Sequence, residues 1–301
     1  MKGEKSVAGH LTMFIVNVIF GLNTPVSKTL IPEFLTSYSL NYLRVVVAMV
    51  LFWGASFFVK EERVERRELV VLLFAAVLGI ILNQFLFVKG LSLTTPINAA
   101  MIVSLTPIIT MLMAAIYIRE PITGKKVGGV LLGAAGALVL IVSGSDTEAS
   151  RGANSMLGNM FCLASSVAYA LYLTVFKGII NKHHPVTIMK WMFLYSAILT
   201  APICWTDICE IEWNMLSVSG GLRILYVTVL ATFVTYLLIP VGQKRLRPTT
   251  LSMYNYVQPI IACTVAVAIG IDEFKPITII ATIMIFSGVY IVTQSKARSQ
   301  M

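Results

Sequence analysis

Residues 86–114 read LFVKGLSLTTPINAAMIVSLTPIITMLMA, and residues 238–266 read LIPVGQKRLRPTTLSMYNYVQPIIACTVA. Several positions carry the same residue in both stretches at one constant offset of 152 residues. Internal symmetry of this kind indicates that the chain is a duplication. The matched pairs are Leu86 and Leu238, Gly90 and Gly242, Pro96 and Pro248, Pro107 and Pro259, and Ala114 and Ala266, and the offset continues to Gly136 and Gly288.

The composition places the chain in a membrane. Hydrophobic residues make up 57% of its 301 residues, charged residues make up 12%, and the mean hydropathy is +0.84. These values exclude an ordinary soluble domain. A helix that crosses roughly 30 Å of hydrocarbon needs about 20 apolar residues. The sequence predicts ten such segments, near residues 10–31, 37–59, 68–88, 95–117, 124–143, 155–177, 185–205, 217–243, 248–270 and 275–294.

Each predicted repeat contains five of these segments. Since five is an odd number, the second repeat enters the bilayer from the opposite side, and the two repeats have inverted topology. The first repeat is predicted to cover residues 8–144 and the second 155–295. The linker between them, residues 145–154, is polar and rich in small residues. Inverted repeats of five helices are typical of secondary transporters.

The formal net charge of +9 suggests a nucleic acid or an acidic partner until the basic residues are placed along the chain. Seventeen of the 23 Lys and Arg fall on one side of the predicted membrane and five on the other, and Arg44 lies within a span. By the positive-inside rule both termini are cytoplasmic. We therefore predict a multi-pass, all-α integral protein of the inner (plasma) membrane that contacts lipid and no nucleic acid.

Two of the repeated prolines lie deep in their predicted helices. Pro107 and Pro259 each follow the first proline of their helix by 11 residues, which corresponds to a depth of about 16 Å at 1.5 Å per residue. Each removes a helical hydrogen bond to the carbonyl four residues earlier, at Val103 and at Asn255. A simple packing kink would explain either proline alone. Two kinks at one depth in opposed helices favour a cavity or a hinge.

The first helix contains a further predicted break, formed by Gly21, Asn23 and Pro25. Its approximate counterpart, the sixth helix, carries Tyr169 and Tyr172 instead. An interrupted helix with aromatic side chains opposite would frame a cavity. We predict Gly21 and Pro25 as hinge positions, together with the two central prolines.

Polar side chains cluster near the central prolines. On the ninth helix, Tyr254, Asn255 and Gln258 have spacings that place them on one side of the helix, for which we favour contact with the cavity. Amides in hydrocarbon are costly unless they are paired. Those of the third and fourth helices therefore have two open explanations, pairing with a neighbouring helix or contact with a substrate: Asn83, Gln84 and Asn98.

Arg44 is the one basic residue predicted inside a span, and an intramembrane charge is a functional hypothesis by default. It either orients the helix, by reaching the interface or Glu33, or binds an anionic group of a ligand. No Asp or Glu falls deep in a predicted span, so the usual proton-relay groups are missing. A facilitator or exchanger is the simpler expectation. The four cysteines lack metal-ligand spacing, and we expect neither a metal nor a cofactor.

The fifth predicted helix carries a GxxxG motif formed by Gly129 and Gly133. Small residues at this spacing allow close contact between helices in lipid. The motif has two open explanations. It forms either the seam of a homodimer or a contact between helices of one chain.

The order of these features resembles the EamA family of the drug/metabolite transporter superfamily. The resemblance covers nearly the whole chain and implies a basket of ten helices, alternating access and, typically, export of amino acids or related metabolites. It also implies a central cavity lined mainly by helices 1, 3, 4, 6, 8 and 9. Phe20 stands where the family often has Trp. The features that carry the resemblance are FGLNTPVSK at residues 20–28, Arg44, Pro107 and Pro259, and turns at Glu120 and Glu273 followed by Gly136 and Gly288.

We therefore predict a non-enzymatic secondary transporter of small polar metabolites, most of all amino acids. A nucleotide-sugar or phosphosugar carrier is the nearest alternative, but it needs basic residues deep in the cavity. A membrane-embedded lipid-linked transferase is the alternative from another class, and it needs paired acids or a His cluster at the membrane surface. The predicted substrate-binding residues are Asn23, Asn83, Gln84, Asn98, Tyr169, Tyr172, Tyr254, Asn255 and Gln258.

Overall fold

The structure is a computed structural model that describes residues 2–94, 99, 102–143, 153–211, 217–268 and 276–294. Every regular element within these ranges is helical. We label the helices in chain order. They are α1 (Lys2–Glu33), α2 (Ser37–Ser56), α3 (Arg66–Leu93), α4 (Thr106–Tyr117), α5 (Gly124–Ser143), α6 (Ala153–Val175), α7 (Pro185–Cys209), α8 (Val218–Arg245), α9 (248–268) and α10 (Pro276–Thr293), with a short connecting helix at Lys177–Lys182.

Six of these helices are long and apolar enough to cross a membrane, and they lie in α1, α2, α3, α6, α7 and α8. The described parts of α4 and α10 are shorter apolar helices. A multi-pass membrane protein follows from these lengths and compositions. The predictions of ten spans, of inverted topology and of cytoplasmic termini remain predictions.

The predicted interruption of the first helix is wrong, whereas the hinge role of Gly21 and Pro25 remains a prediction. α1 is continuously helical from Lys2 to Glu33, through Gly21, Asn23 and Pro25. Pro25 lacks an N–H group and so removes one helical hydrogen bond, and a long membrane helix tolerates one such loss. Gly21 serves close packing instead. A Cβ at this position would lie 2.8 Å from the Cβ of Ile261, so the absence of a side chain lets α1 approach α9.

The helices depart from α-geometry at four places that correspond in pairs. α3 contains a π-helical stretch at Val77–Phe85, and α8 contains one of the same length at Tyr226–Val234. The backbone turns at residues 104–105, directly before the helix that contains Pro107. In α9 the backbone forms a 3₁₀-helix at Met253–Tyr256, directly before the segment that contains Pro259. Both central prolines therefore follow an irregular stretch of backbone, as their missing N–H groups predict.

The first helix of each predicted repeat packs against helices of the other repeat. α1 contacts α8 and α9, and α6 correspondingly contacts α3 and α4. α2 packs against α7, where the Phe52 and Phe193 rings stack with centroids 5.3 Å apart and Thr36 donates a hydrogen bond of 2.5 Å to Asp207. Because the start of α2 meets the end of α7, these two helices run antiparallel.

The GxxxG motif of α5 packs within the chain. A Cβ on Gly129 would lie 2.7 Å from the Gly288 carbonyl oxygen of α10, and one on Gly133 would lie 2.7 Å from the Tyr256 ring. Near the other end of α5, Gly136 approaches Ala281, so α5 and α10 are also antiparallel. The motif thus forms a contact between helices of one chain. A homodimer remains a prediction, and this face is already covered.

A buried ion pair joins the turn before α5 to the first turn of α5, and a hydrogen bond from α9 reaches the same carboxylate. The Lys126 ammonium lies 2.7 Å from a Glu120 carboxylate oxygen, and only 1% and 6% of these side chains are exposed. The same ammonium donates to the Pro121 carbonyl, and the Thr249 hydroxyl of α9 donates to Glu120. The two buried charges are therefore paired with each other, as burial of charge requires.

A second polar cluster links the loop before α3 to the loop before α7. His183 lies between Glu62 and Glu68, at 3.4 Å and 3.0 Å. Burial raises the pKa of Glu62. Hydrogen bonds from the His184 backbone N–H and the Thr187 hydroxyl, together with the contact with His183, lower it by more. The pKa of Glu62 therefore lies below its usual value. A lowered carboxyl pKa contributes stability that is present at neutral pH and is lost as the pH falls through it.

Replacing Gly129 with Ala should destabilise the fold, because the added methyl group has no room against the α10 backbone. Overpacking of this kind costs about 1–3 kcal/mol and should lower the melting temperature of the purified protein in detergent. Gly128→Ala is the matched control, since no atom lies within 4 Å of the added Cβ. Equal melting temperatures for the two variants would contradict the packing of α5 on α10.

Replacing Lys126 with Met should leave the buried Glu120 carboxylate without its nearest cation, and only the more distant Arg247, at 3.9 Å, remains as an ion-pair partner among the described residues. Removing one member of a buried pair costs about 3–5 kcal/mol, so the variant should unfold at a clearly lower temperature. Lys125→Met removes the same charge from the adjacent, exposed residue and should have no such effect. A Lys126→Met variant as stable as Lys125→Met would show that the pair is dispensable.

Candidate functional site

A cavity of about 100 Å³ lies at the centre of the helices. Its walls come from both predicted repeats. The cavity is lined by side chains of α1, α3, α6, α8 and α9, and of α4 and the residues just before it. These are the helices that the family resemblance implied. One further lining residue belongs to α2. These side chains are Phe20, Asn23, Arg44, Asn83, Gln84, Phe87, Val103, Thr106, Ser165, Ser166, Tyr169, Tyr236, Ile239, Asn255 and Gln258.

The structure brings six of the predicted substrate-binding residues together in this one cavity. They come from four helices and were proposed on separate grounds, so their convergence was not guaranteed by the sequence. Asn98 lies outside the described residues. The six that meet are Asn23, Asn83, Gln84, Tyr169, Asn255 and Gln258. Their contact with a substrate remains a prediction.

Two predicted residues do not reach the cavity wall. Tyr172 is only 1% exposed, its ring lies against Gly79, and its hydroxyl donates to Gln243 at 3.2 Å. Tyr254 lies on the 3₁₀ stretch of α9, and its hydroxyl lies 2.7 Å from His10 Nδ1. Helical spacing was the basis for predicting Tyr254, and the expected break in the first helix, with aromatic side chains opposite, was the basis for Tyr172. The spacing identifies a sector of the helix, and the neighbouring helices decide what that sector meets.

The lining residues repeat with the duplication. Four pairs separated by 152 residues line the cavity together, so it lies where equivalent parts of the two repeats meet. Applying the offset to Gln84, Asn255 and Gln258 would have identified further lining residues from the sequence. The four pairs are Gln84 and Tyr236, Phe87 and Ile239, Val103 and Asn255, and Thr106 and Gln258.

One of these pairs follows directly from the central prolines. Pro107 and Pro259 leave the carbonyls of Val103 and Asn255 without their helical donors. Both residues line the cavity. In a membrane, backbone irregularity of this kind is tolerated where it is buried in protein or lines a cavity. The cavity is therefore the place in the structure where these two irregular stretches are accommodated.

The π-helical stretches deliver polar groups to the same region. Asn83 and Gln84 belong to the stretch in α3, and Thr232 belongs to the stretch in α8. A π-helical turn widens the helix and is frequent at functional sites. No signal in the sequence predicts these stretches, because both read as ordinary apolar membrane segments without a proline.

Several lining amides are paired with other helices. Asn83 donates to the Ser165 hydroxyl at 3.2 Å, and that hydroxyl donates back to the Asn83 carbonyl at 2.7 Å. The Gln258 amide donates to Asn17 of α1 at 2.9 Å. For Asn83 and Gln258, pairing between helices and a place in the cavity wall are therefore compatible, since each side chain does both.

Arg44 and Gln84 are two buried lining residues whose polar groups are only partly paired among the described residues. Both are 4% exposed. The guanidinium of Arg44 donates through Nε to the Thr232 hydroxyl at 2.9 Å. The side chain of Glu33, its predicted partner, lies outside the described side chains. The amide oxygen and nitrogen of Gln84 form no well-aligned hydrogen bond in the described part of the chain, although the Tyr236 hydroxyl lies beside this side chain.

Comparison with known proteins agrees with this architecture. The model of the EamA-like transporter family matches residues 7–142 and again 156–294. An uncharacterised transporter of Bacillus subtilis (strain 168), YetK, is 21% identical over 298 residues, which cover 97% of this chain and 89% of the relative. The protein WALLS ARE THIN 1 of Arabidopsis thaliana is 25% identical over 316 residues, covering 93% of this chain and 78% of the relative.

The fold also occurs among solved structures. One crystal structure aligns with a TM-score of 0.75 and 17% sequence identity, and the alignment covers 97% of each chain. At this identity the likeness shows the fold alone. The family match spans most of the sequence, and the helices have the lengths of membrane spans. The chain therefore belongs to the EamA-like transporter family and is a multi-pass membrane transporter.

Proposed function

We propose that the protein is a secondary transporter that moves small polar metabolites, most of all amino acids, through the central cavity by alternating access. The observation that carries the proposal is the pairing of lining residues at the offset of the duplication. A cavity built from equivalent parts of two repeats can open to either side when one repeat moves against the other. Export across the inner (plasma) membrane is the proposed direction.

The helix contacts support a movement of two five-helix units. α2 meets α7 and α5 meets α10, and both contacts are antiparallel, as two inverted repeats require. α1 and α6 exchange equivalent neighbours. The two separate family matches support the same division. Pro107 and Pro259, which follow irregular backbone, are the proposed hinges of this movement.

The chemistry of the cavity supports small polar substrates. Its lining combines amides and hydroxyls with aromatic rings, and these groups bind polar solutes through hydrogen bonds and their apolar parts through contact. Arg44 is the single charged residue among the described lining residues. A nucleotide sugar carries more fixed negative charge than one guanidinium neutralises, so this lining favours amino acids over that alternative. Without an acidic group in the described lining, we propose exchange or facilitation.

Reconstitution into liposomes tests the transporter directly. Proteoliposomes preloaded with one unlabelled amino acid from a panel should take up the same labelled amino acid faster than protein-free liposomes. Amines and sugar phosphates complete the panel. A solute that exchanges identifies the substrate class. Failure of every solute to move under any imposed gradient would sink the transporter proposal.

Asn255 and Tyr254 form a matched pair for mapping the site, because they are adjacent and only Asn255 lines the cavity. Asn255→Ala should remove a hydrogen bond to the substrate. Such a bond contributes about 0.5–1.5 kcal/mol, so the KM for exchange should rise about threefold to tenfold. Tyr254→Phe loses only the contact with His10 and should lower thermal stability without changing KM. A raised KM for Tyr254→Phe with an unchanged KM for Asn255→Ala would place the binding site at Tyr254 and not at the cavity wall.

A further inference from the structure

We infer that Arg44 and Gln84 form a carboxylate-binding subsite within the cavity, so that a carboxylate is a required part of the substrate. The inference rests on the proposed function and deepens it. It concerns which chemical group of the solute the protein recognises. The proposal above requires only a small polar solute.

Arg44 presents a buried positive charge without a compensating acid. It is the eighth residue of α2, about 10 Å along the helix from its start. No acidic side chain lines the cavity in the ranges that the structure describes, and no carboxylate contacts the guanidinium there. A charge taken out of water costs several kcal/mol unless it is paired and hydrogen-bonded. The site therefore favours a ligand that brings one negative charge.

The geometry of the guanidinium identifies the kind of anion. Its planar fork has five N–H donors, and Thr232 uses the one on Nε. The remaining donors sit on the two terminal nitrogens. They match the two oxygens of a carboxylate, which a guanidinium binds through two parallel hydrogen bonds. A carboxylate also carries the single negative charge that neutralises one arginine.

Gln84 supplies the second observation. Its side chain is 4% exposed and lines the same cavity beside the Tyr236 hydroxyl, and neither its amide oxygen nor its amide nitrogen forms a well-aligned hydrogen bond in the described part of the chain. Leaving buried polar atoms unpaired costs about 1–3 kcal/mol each. A carboxylate oxygen accepts from the amide nitrogen, and an ammonium or hydroxyl group of the same solute donates to the amide oxygen. A bound solute of this kind satisfies groups that the protein itself leaves unsatisfied.

A phosphate group is the other ligand with this chemistry. A phosphate dianion needs a second positive charge, and Arg44 is the one cation of the described lining. The single positive charge therefore favours a carboxylate, and the experiment includes inorganic phosphate as a separate competitor. Phosphate that inhibits exchange more strongly than acetate and propionate would overturn the assignment.

The test compares molecules that differ only in the carboxylate. Leucine, leucinamide and isoamylamine compete for exchange in proteoliposomes that contain the full chain, and the same comparison is made with phenylalanine and its amide and amine. The acid should compete at least tenfold more strongly than its amide. Equal competition by acid and amide would overturn the inference while leaving the transporter proposal intact.

Variants locate the effect at Arg44. Arg44→Gln keeps a donor for Thr232 but removes the charge, and Arg44→Lys keeps the charge but removes the fork. The preference for acid over amide should fall to about one in Arg44→Gln and to an intermediate value in Arg44→Lys. Lys89→Gln is the matched control, because Lys89 also lies in a helix but is not among the lining residues, and it should keep the full preference.

Gln84→Glu covers the case in which the Arg44 variants fail to fold. The substitution keeps the size of the side chain and adds a negative charge to the cavity. It should weaken competition by the acid at least tenfold and leave that by the amine unchanged or stronger. An unchanged ratio of acid to amine would overturn the inference.

A binding measurement in detergent separates the two proposals. A ligand that binds the folded state raises its melting temperature in proportion to occupancy. Leucine or phenylalanine should raise the melting temperature of the wild type more than the corresponding amide does, and should not raise that of Arg44→Gln. Binding without transport would overturn the transporter proposal alone. Transport or binding that ignores the carboxylate would overturn the subsite alone.

Discussion

The helical backbone of this protein lies in hydrocarbon, where an unpaired N–H or carbonyl group costs several kcal/mol, and two prolines break its hydrogen bonding at corresponding depths. Pro107 and Pro259 follow a turn and a 3₁₀ stretch, and the residues whose carbonyls they release, Val103 and Asn255, both line the cavity. The rest of the architecture surrounds this point. The irregular backbone before the two prolines lies at the cavity wall.

The distribution of polar groups follows the same logic. At one end of the helices, buried charges satisfy each other, as Lys126 and Glu120 do. In the cavity and among the described residues, Arg44 donates a hydrogen bond to the Thr232 hydroxyl alone, and the Gln84 amide lies beside Tyr236 without a well-aligned hydrogen bond. Pairing at the ends stabilises the fold. Incomplete pairing at the centre costs stability and leaves groups that a solute can satisfy, which is the usual relation between a structural and a functional polar site.

Part of the site could be predicted because its signals are local. Asn255 and Gln258 stand next to a proline, and their class and depth can be read from the sequence. The π-helical stretches could not be predicted, since nothing in VLGIILNQF at residues 77–85 distinguishes it from an α-helix. The break expected in α1 was wrong because one proline removes one hydrogen bond, and the remaining bonds and the contact with α9 keep the helix continuous.

The sequence by itself determined the membrane class, the family and the repeat of prolines, because hydrophobic length and residue spacing are properties of single segments. Only the tertiary structure decided which polar side chains share the cavity. It brought Arg44 of α2 to Thr232 of α8 and to a wall whose described residues include no acid, and it turned Tyr172 and Tyr254 toward other helices. The physical reason is that spacing orients a side chain around its own helix, whereas its partners depend on how distant helices pack.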